Sequence, residues 1–262
     1  MSMSELITQL ELNTILLAAS LAIAGYLIGS VSFARLVYYR ITKSKNYEPF
    51  SEKLPFSDEK FDSTLISATW VTKRLGKKYG LITSLLDMLK VTLPVLITKL
   101  MFQSQPYFLI VALAGILGHN YPVYYKFMGG RGESPIMGVL LVINWFGVFV
   151  MMGLSSVLGY LLGSIMVMRF GHYILMIFWY WVYFNDLSYI FFMVLANFLY
   201  WFSMRNDLKR FQEIKRKYGL IIREEDISEF LMMGKAPGKF LDKYGLYQVY
   251  KRKKGTKTKQ IG

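Results

Sequence analysis

Residues 135–168 read PIMGVLLVINWFGVFVMMGLSSVLGYLLGSIMVM, with no charged side chain anywhere in the stretch. A helix needs about 20 apolar residues to cross the hydrocarbon core of a bilayer. The stretch is too long for one crossing and too apolar for a soluble domain. Gly153, Ser155 and Ser156 lie at its middle and offer a tight turn. The reading is two crossing helices joined there. Upstream, Asn13 to Tyr38, Leu81 to Met101 and Tyr107 to Tyr125 are three further apolar runs. Downstream, Arg169 precedes a run from Tyr173 to Phe184, Asn185 and Asp186 break it, and Leu187 to Phe202 follows.

Composition agrees with a membrane protein. Hydrophobic residues make up 54% of the 262, charged residues 18% and aromatic residues 16%, and the mean hydropathy is +0.34. Soluble domains are about 45–50% apolar and about 25% charged. Tyr and Trp gather near the ends of several runs, as an interfacial belt does. The net charge of +14 falls between and after the apolar runs. That distribution points to cytoplasmic loops, anionic lipid and anionic substrates, and not to nucleic acid. Without cysteine there is no disulfide, thiolate nucleophile or Cys metal site. His119 and His172 are the only histidines, with no ligand cluster around them, and no metal is expected. The first run lacks a basic leader and a small-residue cleavage site, so it reads as a retained helix.

Charge parity orients the runs. Arg40, Lys43, Lys45, Lys73, Arg74, Lys77 and Lys78 mark the first loop as cytoplasmic by the positive-inside rule. The turn at Gln103 to Pro106 is uncharged, as an external turn is, and Lys126 and Arg131 return the chain inside. The tail, with Arg205, Lys209, Arg210, Lys215, Arg216 and Lys217, belongs on the same side. An even number of helices must then separate Arg131 from Arg205. The expected architecture is an all-α polytopic bundle of about seven transmembrane helices, N-terminus outside and C-terminus cytoplasmic. Residues 1–204 form the membrane domain and 205–262 a basic tail. The tail reads as a helix near Asp207 to Tyr218, then Gly234 to Tyr250 folding on the membrane face through Phe240, Tyr244 and Tyr247.

Three clusters carry possible chemistry. The first is Gly118-His119-Asn120-Tyr121-Pro122 with Phe127-Met128-Gly129-Gly130-Arg131-Gly132. Glycines let backbone N–H groups approach an oxyanion, and Arg131 offers a planar fork for phosphate. A tight interhelical turn with one topogenic arginine is the competing reading. The second runs from Ser63 through Ser67, Thr69, Lys73 and Arg74 to Gly80. It fits either a phosphate site or a solvated amphipathic helix. The third is Asp87 with Lys90, spaced to face each other. Charges inside an apolar run line a bundle interior or a site, and a structural ion pair competes with the functional reading.

Together these stretches resemble the acyl-phosphate-dependent glycerol-3-phosphate acyltransferase family of membrane enzymes. The resemblance spans about Gly25 to Phe211. Tyr26-Leu27-Ile28-Gly29-Ser30-Val31-Ser32-Phe33 resembles the family's first-helix signature, with Ser32 where proline is usual. Leu75 to Gly80 and Leu85 to Lys90 resemble the end of its first motif and the helix that follows. Gly118 to Val123 and Phe127 to Gly132 resemble its second motif. The departures are specific. The first motif's Gly-Ser-Gly-Asn is Asp62-Ser63-Thr64-Leu65 here, Lys73 stands for an arginine, and Arg131 for a lysine. The third motif is poorly matched, with Met204 at its His and Asp207 at its Asn.

The resemblance implies acyl transfer from acyl phosphate to the 1-hydroxyl of glycerol 3-phosphate, giving lysophosphatidic acid, in a multi-pass cell-membrane protein with its site loops in the cytoplasm and no cofactor. It implies Ser63, His119 and Arg131 as catalytic residues. It implies Lys73, Gly129, Gly130, Gly132, Asp87, Lys90 and Asp207 as substrate-binding ones. Ser63, Lys73 and Arg131 are expected to converge on one pocket. The alternative is a divergent homologue with a different acceptor or no catalysis, a lipid-binding or scaffolding protein.

Overall fold

The structure, a computed structural model, describes residues 3–48, 50–53, 60–63, 65–218, 223–231 and 233–250. It is helical apart from one two-stranded ladder, β1 (Phe50–Lys53) on β2 (Lys60–Ser63). The chain forms two compact units. The first comprises Met1–Phe50, Thr64–Asn144 and Asp186–Met204, and the second Ser51–Ser63, Trp145–Asn185 and Arg205–Gly262.

In the first unit, α1 (Met3–Gly29) packs on α5 (Tyr107–Asn120). Glycine makes the crossing close. A Cβ on Gly29 would lie 2.2 Å from the Gly115 carbonyl oxygen, and one on Gly118 would lie 2.2 Å from that of Tyr26. Apolar side chains gain little from association when the solvent is hydrocarbon, so small residues that let backbones touch drive such crossings. Beyond Gly29 the chain leaves the helical path at Ser30–Ser32 and resumes as α2 (Phe33–Thr42). Ser32 caps α2: its hydroxyl accepts from the Arg35 backbone N–H at 3.5 Å. Short α3 (Ala68–Leu75) turns through Gly76, at φ +94°, into α4 (Lys77–Met101). Its Trp70 and Val71 are buried with Ala34 and Ile66, beneath Tyr38 and Tyr47.

The turn between α4 and α5 marks one end of this unit. There Lys99 donates to the Val142 carbonyl at 2.8 Å and lies over the Phe108 ring, which packs on Tyr189 at 6.0 Å. At the opposite end the Ser203 hydroxyl donates to the Arg131 carbonyl at 3.1 Å, and Phe202 meets Tyr121. The segment entering at Glu133 and the segment leaving at Ser203 therefore share one end.

The turn expected at Gly153 is not present. Gly153 sits inside α6 (Glu133–Leu162), whose backbone departs from helical geometry at Asn144, with φ −157° and ψ 83°. The chain reverses at Gly163–Ser164 into α7 (Ile165–Phe184). In the second unit the two helices run antiparallel. Phe146 meets Trp179, the Ser155 hydroxyl donates to the Val167 carbonyl at 2.6 Å, and Gly159 lies against Met168. A glycine in mid-stretch carries no obligation to turn, whereas Gly163 adopts the left-handed φ of +61° that favours glycine.

The helix expected near Asp207 to Tyr218 is no separate element. It continues α8 (Leu187–Tyr218), about 48 Å long at 1.5 Å per residue. Two short helices follow, α9 (Glu224–Phe230) and α10 (Lys235–Tyr244). Among the described residues, six stretches are long and apolar enough to cross a membrane: Glu11–Thr42, Lys77–Met101, Tyr107–Tyr125, Glu133–Leu162, Ile165–Phe184 and Leu187–Lys209. Their outward side chains are large and apolar, among them Ile15, Leu93, Ile97, Phe191 and Phe198. The polar side chains Asp87, Lys90, His119 and Asn120 are buried, the inside-out distribution a lipid-exposed bundle requires.

Candidate active site

The interruption between α1 and α2 is the floor of the site. Leaving the helix frees the Val31 carbonyl, and the Lys90 ammonium from α4 donates to it. Lys90 also stands 3.0 Å from Asp87 Oδ1, one turn earlier on α4. His119, near the end of α5, brings Nδ1 to 3.6 Å from the same carboxylate oxygen. Asp87 is 2% exposed, Lys90 8% and His119 9%. Two cation-capable groups thus converge on one buried carboxylate, which offsets part of the cost of burying each charge.

The loop after α5 closes over them. The Gly130 backbone N–H donates to the His119 carbonyl at 3.1 Å. A Cβ at Gly129 would meet that same oxygen at 2.2 Å, and one at Gly130 would meet His119 Nε2 at 2.2 Å. Both positions exclude every side chain larger than hydrogen. Gly132, at φ +85°, lies against the Asn120 amide. Lys126 and Phe127 adopt left-handed backbone at φ 52° and 59°, a strained conformation for non-glycine residues that functional loops tolerate.

Asp87, Lys90, His119, Gly129 and Gly130 line one small pocket with Ser30, Val31, Ser32, Ile66 and Pro122. Five of the sequence-derived candidates are therefore brought together. Lys73, exposed on α3, is not among the lining residues, and neither is Arg131. The expected meeting of Ser63, Lys73 and Arg131 turns on the Ser63 side chain, which lies outside the described residues. Arg131 sits at the next position in the loop, with its carbonyl engaged by Ser203. Asp207 is half-buried on α8. The Ser63 backbone lies in β2, and its side chain falls outside the described residues.

Sequence reading missed Arg35. It is 5% exposed, on the first turn of α2. Its guanidinium donates to the Ser32 hydroxyl at 3.2 Å and the Met128 carbonyl at 2.9 Å, and lies 4.4 Å from the Tyr125 ring centroid. It ties the α1–α2 break to the glycine loop. The signal was present: an arginine five residues beyond Ser30, within a run otherwise free of charge. That charge received no role, because nothing in the local sequence ties it to the loop at 128. Ser30 was likewise quoted without a role. It donates to the Tyr26 carbonyl at 2.8 Å and accepts from the Val123 backbone N–H at 3.4 Å.

The family profile for glycerol-3-phosphate acyltransferase matches residues 19–213. A glycerol-3-phosphate acyltransferase of Pelagibacter ubique is 30% identical over 208 residues, covering 75% of this chain and 96% of that protein. One from Aquifex aeolicus is 34% identical over 143 residues, covering 50% and 68%. One from Mycoplasma mycoides is 29% identical over 207 residues, covering 70% and 76%. Among solved structures, PlsY (YgiH), an integral membrane glycerol 3-phosphate acyltransferase, in its glycerol 3-phosphate form, superposes with a TM-score of 0.58 at 25% identity, over 75% of this chain and 92% of that one. The matched segment runs from within α1 to within α8 and carries every residue that lines the pocket. The chain is a multi-pass membrane protein that belongs to the glycerol-3-phosphate acyltransferase family.

Proposed function

We propose that this chain transfers an acyl group from an acyl phosphate to the 1-hydroxyl of glycerol 3-phosphate. The hydroxyl oxygen bonds to the acyl carbon, the acyl–phosphate C–O bond breaks, and lysophosphatidic acid and inorganic phosphate leave. The single observation that carries this reading is the Asp87–Lys90–His119 cluster beneath the Gly129–Gly130 wall. An acyl phosphate is already activated, so the protein's contribution is positioning and charge stabilisation. Lys90 supplies a cation within a low-dielectric pocket. With its proton on Nδ1, facing Asp87, His119 holds Nε2 as the basic atom for the hydroxyl proton. The glycine wall lets a phosphate approach backbone closely. Arg131, next in that loop, and Ser63, Lys73, Gly132 and Asp207 are assigned to substrate phosphates on the family resemblance.

The site is assigned to the cytoplasmic side by the basic residues of the loops at 40–78 and 126–131. Contacts within the first unit support an even number of passages between Arg131 and Ser203, with Asn144 as the breakpoint. On that reading Glu133–Ile143, a short passage of about 16 Å of helix, and Trp145–Leu162 count separately, and seven passages result.

The test is phosphate release from palmitoyl phosphate by purified protein in bicelles. Release that depends on glycerol 3-phosphate and falls in Lys90→Met, Arg131→Ala and Ser63→Ala is the expected result. Absence of turnover by folded wild-type protein overturns the assignment. Release with a different polyol phosphate instead points to a changed acceptor.

A further inference from the structure

We propose that α10 and the short helical stretch after it, residues 246–250, form an interfacial binding surface for anionic lipid, held by α9 at the tip of the α6–α7 hairpin. Its attachment is built from several contacts within the second unit. Glu224 accepts from the Ile165 backbone N–H at 2.7 Å, capping α7. The Glu224 and Glu225 backbone N–H groups donate to Asp242 of α10 at 3.1 and 3.0 Å. The Gln248 amide donates to the Gly163 carbonyl at 3.2 Å, and Arg169 donates to the Leu231 carbonyl. Tyr160 of α6 meets Phe240 of α10 at 5.9 Å. The hairpin tip terminates two apolar spans, so a helix fixed there sits where hydrocarbon gives way to headgroups.

At about 100° per residue, α10 divides into three stripes. Gly238, Leu241 and Gly245 are buried; the first lies against Glu224 and Glu225 and the last against Gly163. Phe240 and Tyr244 form a second stripe, 50% and 47% exposed, and Tyr247 at 55% extends it. Lys235, Lys239 and Lys243 form the third, all exposed. Lys235 pairs with Glu229 at 3.4 Å, and Lys243 leans over the Tyr244 ring. An aromatic stripe flanked by lysines is the pattern of a helix lying in the headgroup plane. Immediately beyond Tyr250 the sequence adds Lys251, Arg252, Lys253, Lys254, Lys257 and Lys259, a cluster of the size that attracts anionic lipid. The family match ends at residue 213, so this element lies outside the matched segment and the surface does not depend on the acyltransferase reading.

The chain has no cysteine, which makes single-site nitroxide labelling direct. Single cysteines are placed at 239, 240, 244, 247 and, as a solvent reference, at exposed Arg216. The full chain is reconstituted in phosphatidylcholine vesicles with and without phosphatidylglycerol. Labels at 240, 244 and 247 are expected to gain oxygen accessibility and lose water-soluble nickel accessibility when phosphatidylglycerol is present, while 239 and 216 stay water-exposed. Neutralising Lys235, Lys239 and Lys243 to Gln is expected to weaken that response by about five-fold per lysine. Labels at 240, 244 and 247 as water-accessible as 216 overturn the proposal. So does an immobile but oxygen-poor stripe, which indicates a protein partner, or an unchanged response in the triple variant.

Discussion

Gly130→Ala puts the site geometry under the sharpest strain. The new methyl would stand 2.2 Å from His119 Nε2 and 2.9 Å from Cε1, where an ordinary contact is about 3.5 Å or more. Either the imidazole retreats by roughly 1 Å or the loop lifts by as much. The ring has little freedom, because it is buried and its Nδ1 is already 3.6 Å from Asp87. The loop is also tied: the Gly130 N–H is bonded to the His119 carbonyl, and Met128 is held by Arg35. Overpacking of this kind costs about 1–3 kcal/mol. A misplacement near 1 Å at a reacting centre costs on the order of 100-fold in rate. The assay is phosphate release from palmitoyl phosphate with glycerol 3-phosphate, with kcat and KM resolved separately and thermal unfolding followed in the same detergent. The expected result is a folded protein with kcat down about 100-fold. Wild-type kcat and KM at an unchanged melting temperature would show that His119 and the glycine wall do not act together.

Other consequences follow from single contacts. Lys90→Met leaves Asp87 buried without its 3.0 Å partner and is expected to destabilise by about 3–5 kcal/mol; adding Asp87→Asn recovers part of that loss in denaturant titration, whereas strict additivity refutes the pairing. Arg35→Ala removes the guanidinium hydrogen bonds to Ser32 and Met128 and is expected to raise KM and protease sensitivity of the 126–132 loop, with Arg35→Lys restoring neither fully. Gly29→Val drives a side chain into the Gly115 backbone, so the first and fifth helices separate and folding yield collapses; normal expression of that variant contradicts the close crossing. Gly153→Ala is expected to be neutral within about 0.5 kcal/mol, because the position is helical with open space around it.

The amino-acid sequence by itself determined the class. Charge-free runs of crossing length exist or do not, whatever the tertiary arrangement, because burying backbone in hydrocarbon is a local requirement. It also singled out Asp87, Lys90, His119, Gly129 and Gly130, which the fold brings to one pocket, since a charge within an apolar run or a glycine cluster beside a cation is visible locally. The break in the long stretch was misplaced at Gly153, because glycine and serine permit a turn without demanding one. The departure at Asn144 coincides with the point where the chain passes from one compact unit to the other. Arg35 was invisible as a site neighbour because its partners, Met128 and Tyr125, lie some ninety residues away. Which charges meet is decided only when the first helix breaks at Ser30–Ser32. That break opens a carbonyl for Lys90, and the Gly25, Gly29, Gly115 and Gly118 crossing brings the ends of α1 and α5 to the same place. Local sequence supplied the groups; backbone contact between distant helices made them one pocket.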